Sequence, residues 1–186
     1  SQFLVDVLGS ASFDELPSAV QQHLWAHREA LEARAAFRRG SCAWWRFAFP
    51  LHREAYGQPR VICAYRAKAN RFAAVAADGG IGLTDTTAIF VPKLEHAQAL
   101  ACLLNSSPLC SRYLGIGKPT GLGLREYFHN QVSELPMPSS WPRLAAELSP
   151  WVLLCARGEA DALAHVDSVV AAAYGVDLAA VSGSLG

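Results

Sequence analysis

The sequence predicts an α+β fold, a twisted, mostly antiparallel sheet with a long N-terminal helix and a C-terminal helical segment. Three observations predict it. Residues 13–39 place Val20, Leu24, His27, Leu31 and Ala35 at helical spacing. From Cys42 to Pro92 the texture changes to short runs rich in Trp, Phe, Tyr, Val and Ile, punctuated by Pro50, Gly57, Pro59 and Asp78-Gly79-Gly80. Beyond Pro138 helical spacing returns.

Taken in order, the first helix has Ser12 or Asp14 as cap and Pro17 in its first turn, and Gly40 stops it. Strands are expected at 44–49, 60–65, 73–76, 82–84 and 86–91. Residues 94–105 set His96, Leu100, Leu103 and Leu104 on one helical face, and a second helix is expected over 108–114. The last helices are expected at 141–148 and 153–174, the latter ending at Gly175. The expected organisation is a linker and helix over 1–40, a core over 41–138 and a helical segment over 139–186.

At 186 residues and 52% hydrophobic, the chain is long enough to bury one good core. Its apolar runs are interrupted well short of the roughly 20 residues that span a bilayer, and no signal-peptide pattern opens it, so a cytoplasmic location is expected. The chain begins at Ser1 in what looks like the end of a strand or linker, which suggests an excised piece of something larger. Cys42, Cys63, Cys102, Cys110 and Cys155 are odd in number and widely spaced, which fits reduced, mostly buried thiols.

Sixteen Lys and Arg balance sixteen Asp and Glu, but unevenly. Arg28 to Arg71 carries ten basic residues against three acids, and the last segment, 132–186, carries six acids against Arg143 and Arg157. A basic face is the footprint of a polyanionic partner. The turn Arg66-Ala-Lys68-Ala-Asn70-Arg71 has the composition for groove reading: Arg offers a bidentate fork to guanine, Asn can pair with adenine, and Lys tracks phosphate. A solvated hairpin turn would have the same composition.

A second basic stretch, GIGKPTGLGLREYFHN, lacks P-loop spacing and follows a helix rather than a strand. Its glycines allow close approach to a phosphate strand, with Lys118, Thr120 and Arg125 supplying polar groups and Tyr127, His129 and Asn130 supplying edges or stacking. Simple loop flexibility is the competing explanation. Trp44 and Trp45 sit beside Arg46 on the expected strand, one ring inward and the other packed on the first helix. His23 and His27 share a helical face without a third metal ligand at suitable spacing. No nucleophile elbow surrounds Ser111, Cys110, His165 or Asp167, so a hydrolytic triad is set aside. Thr84, Asp85, Thr86 and Thr87 suit local bonds to backbone amides.

The order of WWRF, VICAYRAKANRFA, TDTTAIFVP, ALACLLNSSPL, the glycine-rich loop and VSELPMP resembles the target-recognition domain of adenine-specific N6 DNA methyltransferases. The nearest groups are the TaqI-like specificity domain and fused restriction-modification enzymes of the Eco57I type. The tail DALAHVDSVVAAAYGVD resembles their closing Asp-x-x-Val-x-x-x-Tyr-Gly-Leu, so the resemblance runs over roughly residues 31–177. It implies sequence-specific recognition of double-stranded DNA through Arg46, Arg66, Lys68, Asn70, Arg71, Lys118, Thr120, Arg125, Tyr127 and His129. It also implies an S-adenosylmethionine-binding catalytic domain elsewhere in the parent protein. The Asp/Asn-Pro-Pro-Tyr/Phe loop that holds a flipped adenine is missing from this sequence. The alternative is a module that holds together a restriction or phage-defence complex through its acidic, apolar C-terminal helices.

Overall fold

The structure is a computed structural model that describes residues 12–47, 55, 57–77, 79 and 86–183, with the side chains of 182 and 183 excepted. The chain divides into two compact units, Ser1–Arg53 and Glu54–Gly186.

In the N-terminal unit the expected single helix is three short ones: α1 (Ser18–Ala26), α2 (Arg28–Glu32) and α3 (Ala35–Arg38). His27 leaves helical geometry at ψ 13°, and Arg34 is extended at ψ 139°. Neither Gly nor Pro marks these breaks. At Arg34 the cause is tertiary, because its guanidinium donates to the carbonyls of Trp44 at 2.7 Å and Arg46 at 2.9 Å. Those bonds hold residues 44–46 in a turn, where a strand was expected; residues 48 and 49 lie outside the described set. Trp45 and Leu16 are buried together, with Phe13, Val20, Leu24, Trp44 and Phe47 packed around them. Trp44 is half-buried and sits 5.0 Å from the Phe13 ring and 5.4 Å from Trp25, so both tryptophans serve this cluster.

The C-terminal unit is built on a three-stranded antiparallel sheet of β1 (Arg60–Ala64), β3 (Phe72–Val75) and β4 (Thr86–Phe90), in the order β3-β1-β4. The expected strand at 82–84 lies outside the described residues. Period-two alternation turns Val61 and Cys63 to one face, and Ile62 pairs with Ala73 on one side and Ala88 on the other. The buried face meets α4 (Leu94–Asn105), whose Leu100, Leu103 and Leu104 fill the core. After α4 the chain bends at Ser106, and Pro108 stands in the first turn of α5 (Ser107–Ile116).

β1 continues through Tyr65 into a second ladder, in which β2 (Arg66–Ala67) pairs antiparallel with β5 (Arg125–Glu126). Short α6 (His129–Ser133) follows, then α7 (Trp141–Leu148). The expected helix over 153–174 is divided into α8 (Val152–Ala156) and α9 (Ala160–Tyr174). Gly158, at φ 76°, adopts the left-handed conformation that closes a helix, and its N–H donates to the Cys155 carbonyl at 2.9 Å. The final helix is α10 (Leu178–Gly183).

Leu144 and Leu148 of α7 and Val166 and Val170 of α9 belong to the same buried cluster as Val61 and Leu103. Fully burying each of these side chains is worth roughly 1.5–3 kcal/mol. The apolar sides of the C-terminal helices are therefore largely used inside the unit. Among the described residues, no helix is long and apolar enough to cross a membrane.

Candidate nucleic-acid interface

The β2–β5 ladder brings two distant stretches of sequence together. Arg66 faces Glu126 and Ala67 faces Arg125, so the basic turn stands beside the glycine-rich loop. Within residues 65–71 and 117–128, five cations, Arg66, Lys68, Arg71, Lys118 and Arg125, accompany one acid, Glu126.

That acid organises two of the cations. Its side chain is only 6% exposed; Arg66 Nη2 donates to Oε1 at 3.1 Å, and Lys118 Nζ lies 3.3 Å from Oε2. The Arg66 guanidinium also lies 5.0 Å above the Tyr65 ring, which meets Phe128 edge-on at 4.7 Å. Arg66 is thus fixed from two sides, while its side chain remains 53% exposed. Arg125 is spent differently, its Nη1 donating to the Gly117 carbonyl at 2.8 Å and bracing the stem of the loop. Lys68 and Arg71 are exposed on the turn.

The hydrogen bond from Arg66 holds the Glu126 carboxyl below its ordinary value of 4.5, against the opposing effect of burial. A carboxylate whose pKa falls on folding adds stability that is complete above its ordinary value. That stability is lost as the pH falls through the lower folded value. Glu126→Gln is therefore expected to flatten the acid limb of the stability curve below the ordinary value of 4.5. Urea unfolding at a series of pH values measures this, and parallel limbs for the two proteins would exclude a stabilising pair. Solvent around Arg66 keeps the effect modest.

One expected DNA contact, Tyr127, is corrected by burial, and a second, Asn70, is engaged in internal bonds. Tyr127 is 1% exposed and stacks on Tyr113 with ring centroids 4.2 Å apart, so it cannot stack on a base. Asn70 uses its side chain internally: Nδ2 donates to the Leu104 carbonyl at 2.5 Å, and Oδ1 accepts from the Tyr127 hydroxyl at 3.0 Å. It ties the turn to α4, and one N–H and one lone pair of its amide are already engaged. Thr120 is half-buried, and both its N–H and its hydroxyl donate to the Leu124 carbonyl, at 2.8 and 3.2 Å. His129, at the start of α6, is exposed and lines an apolar cleft of about 540 Å³ with Leu100, Val132, Leu135 and Trp141. Arg46 belongs to the N-terminal unit, where its guanidinium lies 4.8 Å above the Trp45 ring.

The motif residues that suggested the resemblance act here as fold staples. Asn105 of LLNS accepts from the N–H of Phe72 and donates to its carbonyl, both at 2.8 Å, extending the sheet bonding of β3. Asp167 of the tail accepts from the Ser107 N–H at 2.7 Å and its hydroxyl at 2.5 Å, capping α5 from α9. Tyr174 donates to the Pro136 carbonyl of LPMP at 2.6 Å, and Thr87 donates to the Tyr127 carbonyl at 2.5 Å. Thr84 and Asp85 lie outside the described residues.

These bonds also bear on the catalytic and metal alternatives. Asp167 serves Ser107, and His165 stacks on Trp151 at 4.0 Å. His23 and His27 touch edge-on at 4.8 Å, and no group of three metal-binding side chains exists among the described residues. All five cysteines are free; burial pushes the Cys63 and Cys102 thiols up to about 12, which leaves them inert.

The sequence reading missed Glu126 as the organiser and Leu122 as an exposed tip residue. Glu126 pairs with Arg66 across sixty positions, and no local pattern signals such a contact. Leu122 between two glycines was a visible signal, an apolar residue where turn chemistry favours a polar one. In comparisons with known proteins, no family model matches this chain and no curated protein is significantly similar to it.

Proposed function

We propose that the chain is a sequence-specific, double-stranded DNA recognition domain of an adenine-N6 DNA methyltransferase or a fused type II restriction-modification enzyme. In this reading it carries no catalytic site. Methyl transfer from S-adenosylmethionine belongs to a catalytic domain of the parent protein, the domain's expected partner, and the setting is cytoplasmic. The observation that carries the reading is the pairing of β2 with β5, which joins the basic turn to the glycine-rich loop in one strongly cationic surface. The order of sequence motifs supplies the enzyme class, and the surface supplies the chemistry.

Arg66 has the bidentate fork suited to guanine, presented in a fixed direction by Glu126 and Tyr65. Lys68, Arg71 and Lys118 suit phosphates, which position a protein on duplex DNA and make its affinity salt-dependent. Arg125 and Asn70 shape the surface from behind.

The test is selection of bound duplexes from a randomised pool at low salt, followed by binding of an enriched duplex across a salt series. An enriched motif with a negative salt slope is expected. Lys68→Ala or Lys118→Ala should weaken binding to all sequences and reduce the slope by about 1. Arg66→Ala should relax preference at one base pair, costing roughly 1–3 kcal/mol there. Retention of no duplex at low salt would defeat the proposal. It would favour an interaction module, for which Leu153 of α8 and Leu163 of α9, 64% and 42% exposed, supply the apolar contacts.

A further inference from the structure

Leu122 is the most exposed large apolar side chain of the described residues, at 90%. It stands at the tip of the glycine-rich loop between Gly121 and Gly123, in the left-handed conformation at φ 64° and ψ 25°. It is the one described non-glycine residue with positive φ. For a branched apolar side chain that backbone is strained, because Cβ crowds the following carbonyl; Gly or Asn would relieve it. Neither core packing nor local conformation therefore asks for leucine at this position. The conformation is closed by the backbone on either side of it: the Thr120 N–H donates to the Leu124 carbonyl at 2.8 Å, and the Leu124 N–H reaches back to Gly121 at 3.4 Å. Below this closed tip, Glu126 donates its N–H to the Lys118 carbonyl at 3.0 Å and Arg125 clamps Gly117.

A rigid stem thus carries a bare apolar tip out of a cationic surface. Backbone strain of this kind persists where surrounding bonds over-determine it, and such sites are commonly functional. The cations attract a polyanion whose interior is apolar, and in duplex DNA that interior is the base stack. We propose that Leu122 is an apolar wedge that enters between two adjacent base pairs, partly unstacking them and kinking the duplex. The proposal rests on the DNA-recognition reading and adds a device to it, since the wedge makes the deformability of one base step part of what is recognised. Wedges of this type kink DNA by roughly 20–90°.

The experiment uses the full 186-residue chain and the duplex enriched from the randomised pool, with 2-aminopurine placed at successive positions. The wild-type protein should raise the fluorescence at one step and retard circularly permuted fragments as a bent complex. Leu122→Asn tolerates the left-handed backbone and leaves the exposed tip folded. It should abolish both signals and weaken binding roughly tenfold, while Leu122→Phe retains them. Circular dichroism of both variants should match the wild type. If the wild type binds the enriched duplex without unstacking it, or if Leu122→Asn binds and bends it equally well, the wedge is overturned and DNA recognition stands. If no duplex is enriched, both are overturned.

Discussion

Tyr127→Ala is expected to destabilise the protein by about 3–5 kcal/mol, the range for removing a fully buried aromatic ring. Against a total stability of roughly 5–15 kcal/mol, much of the folded population would be at risk near physiological temperature. The size follows from its surroundings. The ring is buried in the main core, stacks on Tyr113 and meets Phe72 edge-on at 6.0 Å. Its hydroxyl donates to Asn70, and burial pushes the phenol pKa above its ordinary value, so the group stays neutral and donating at any ordinary pH. Tyr127→Phe keeps the packing and removes only that bond, at about 1 kcal/mol. Urea unfolding of the two variants separates packing from bonding. Unchanged stability in Tyr127→Ala would return the residue to the list of surface contacts.

Replacing Arg60 by methionine should cost about 2–4 kcal/mol, from the loss of the hydrogen bonds that its buried guanidinium donates to backbone carbonyls. Arg60 opens β1 and is fully buried, and its guanidinium donates to the carbonyls of Gln58 at 3.2 Å, Ala76 at 3.3 Å and Gly79. Two of these acceptors follow β3, so the side chain fastens the end of that strand to β1. Methionine relieves the desolvation of a buried charge, which limits the loss, but it supplies no donor. Arg60→Lys retains the charge and loses the planar fork, so it should fall between the two. A methionine variant as stable as the wild type, by urea midpoint and slope, would contradict this account. On the proposed DNA-recognition reading, affinity for duplex at low salt should be unaffected by either change as long as the protein remains folded.

The contrast between these arginines and those of the turn shows what composition can and cannot say. Ten basic residues from Arg28 to Arg71 looked like one electrostatic feature. In the structure Arg34 ties a helix corner to two carbonyls, Arg60 is a buried strand clamp and Arg28 pairs with Glu32. Arg66, Lys68 and Arg71 remain with the surface they were expected to form. A guanidinium with five donors serves buried carbonyls as readily as phosphates, and only the partners distinguish the two uses.

The elements themselves were legible wherever local signals agreed. Helix α4 occupies 94–105 as its spacing predicts, and the strands at 60–64, 72–75 and 86–90 follow the alternation of apolar residues. Helices 141–148 and 160–174 follow their periodicity and the glycine after the second. The N-terminal helix was misread because its break at Arg34 is caused by carbonyls ten and twelve residues away. Gly158 did carry the signal for the break after α8, and the periodicity on either side masked it.

The sequence by itself determined the α+β class, the antiparallel strands, the central helix and the two basic stretches, because hydrophobic period and turn chemistry are local properties. Tertiary structure alone decided which cations point outward, that Tyr127 belongs to the core and Asn70 bonds to it, and that a single buried carboxylate orients Arg66 and Lys118. It also left Leu122 bare at a strained tip. Those outcomes depend on partners up to sixty positions apart, whose meeting is set by strand pairing and burial.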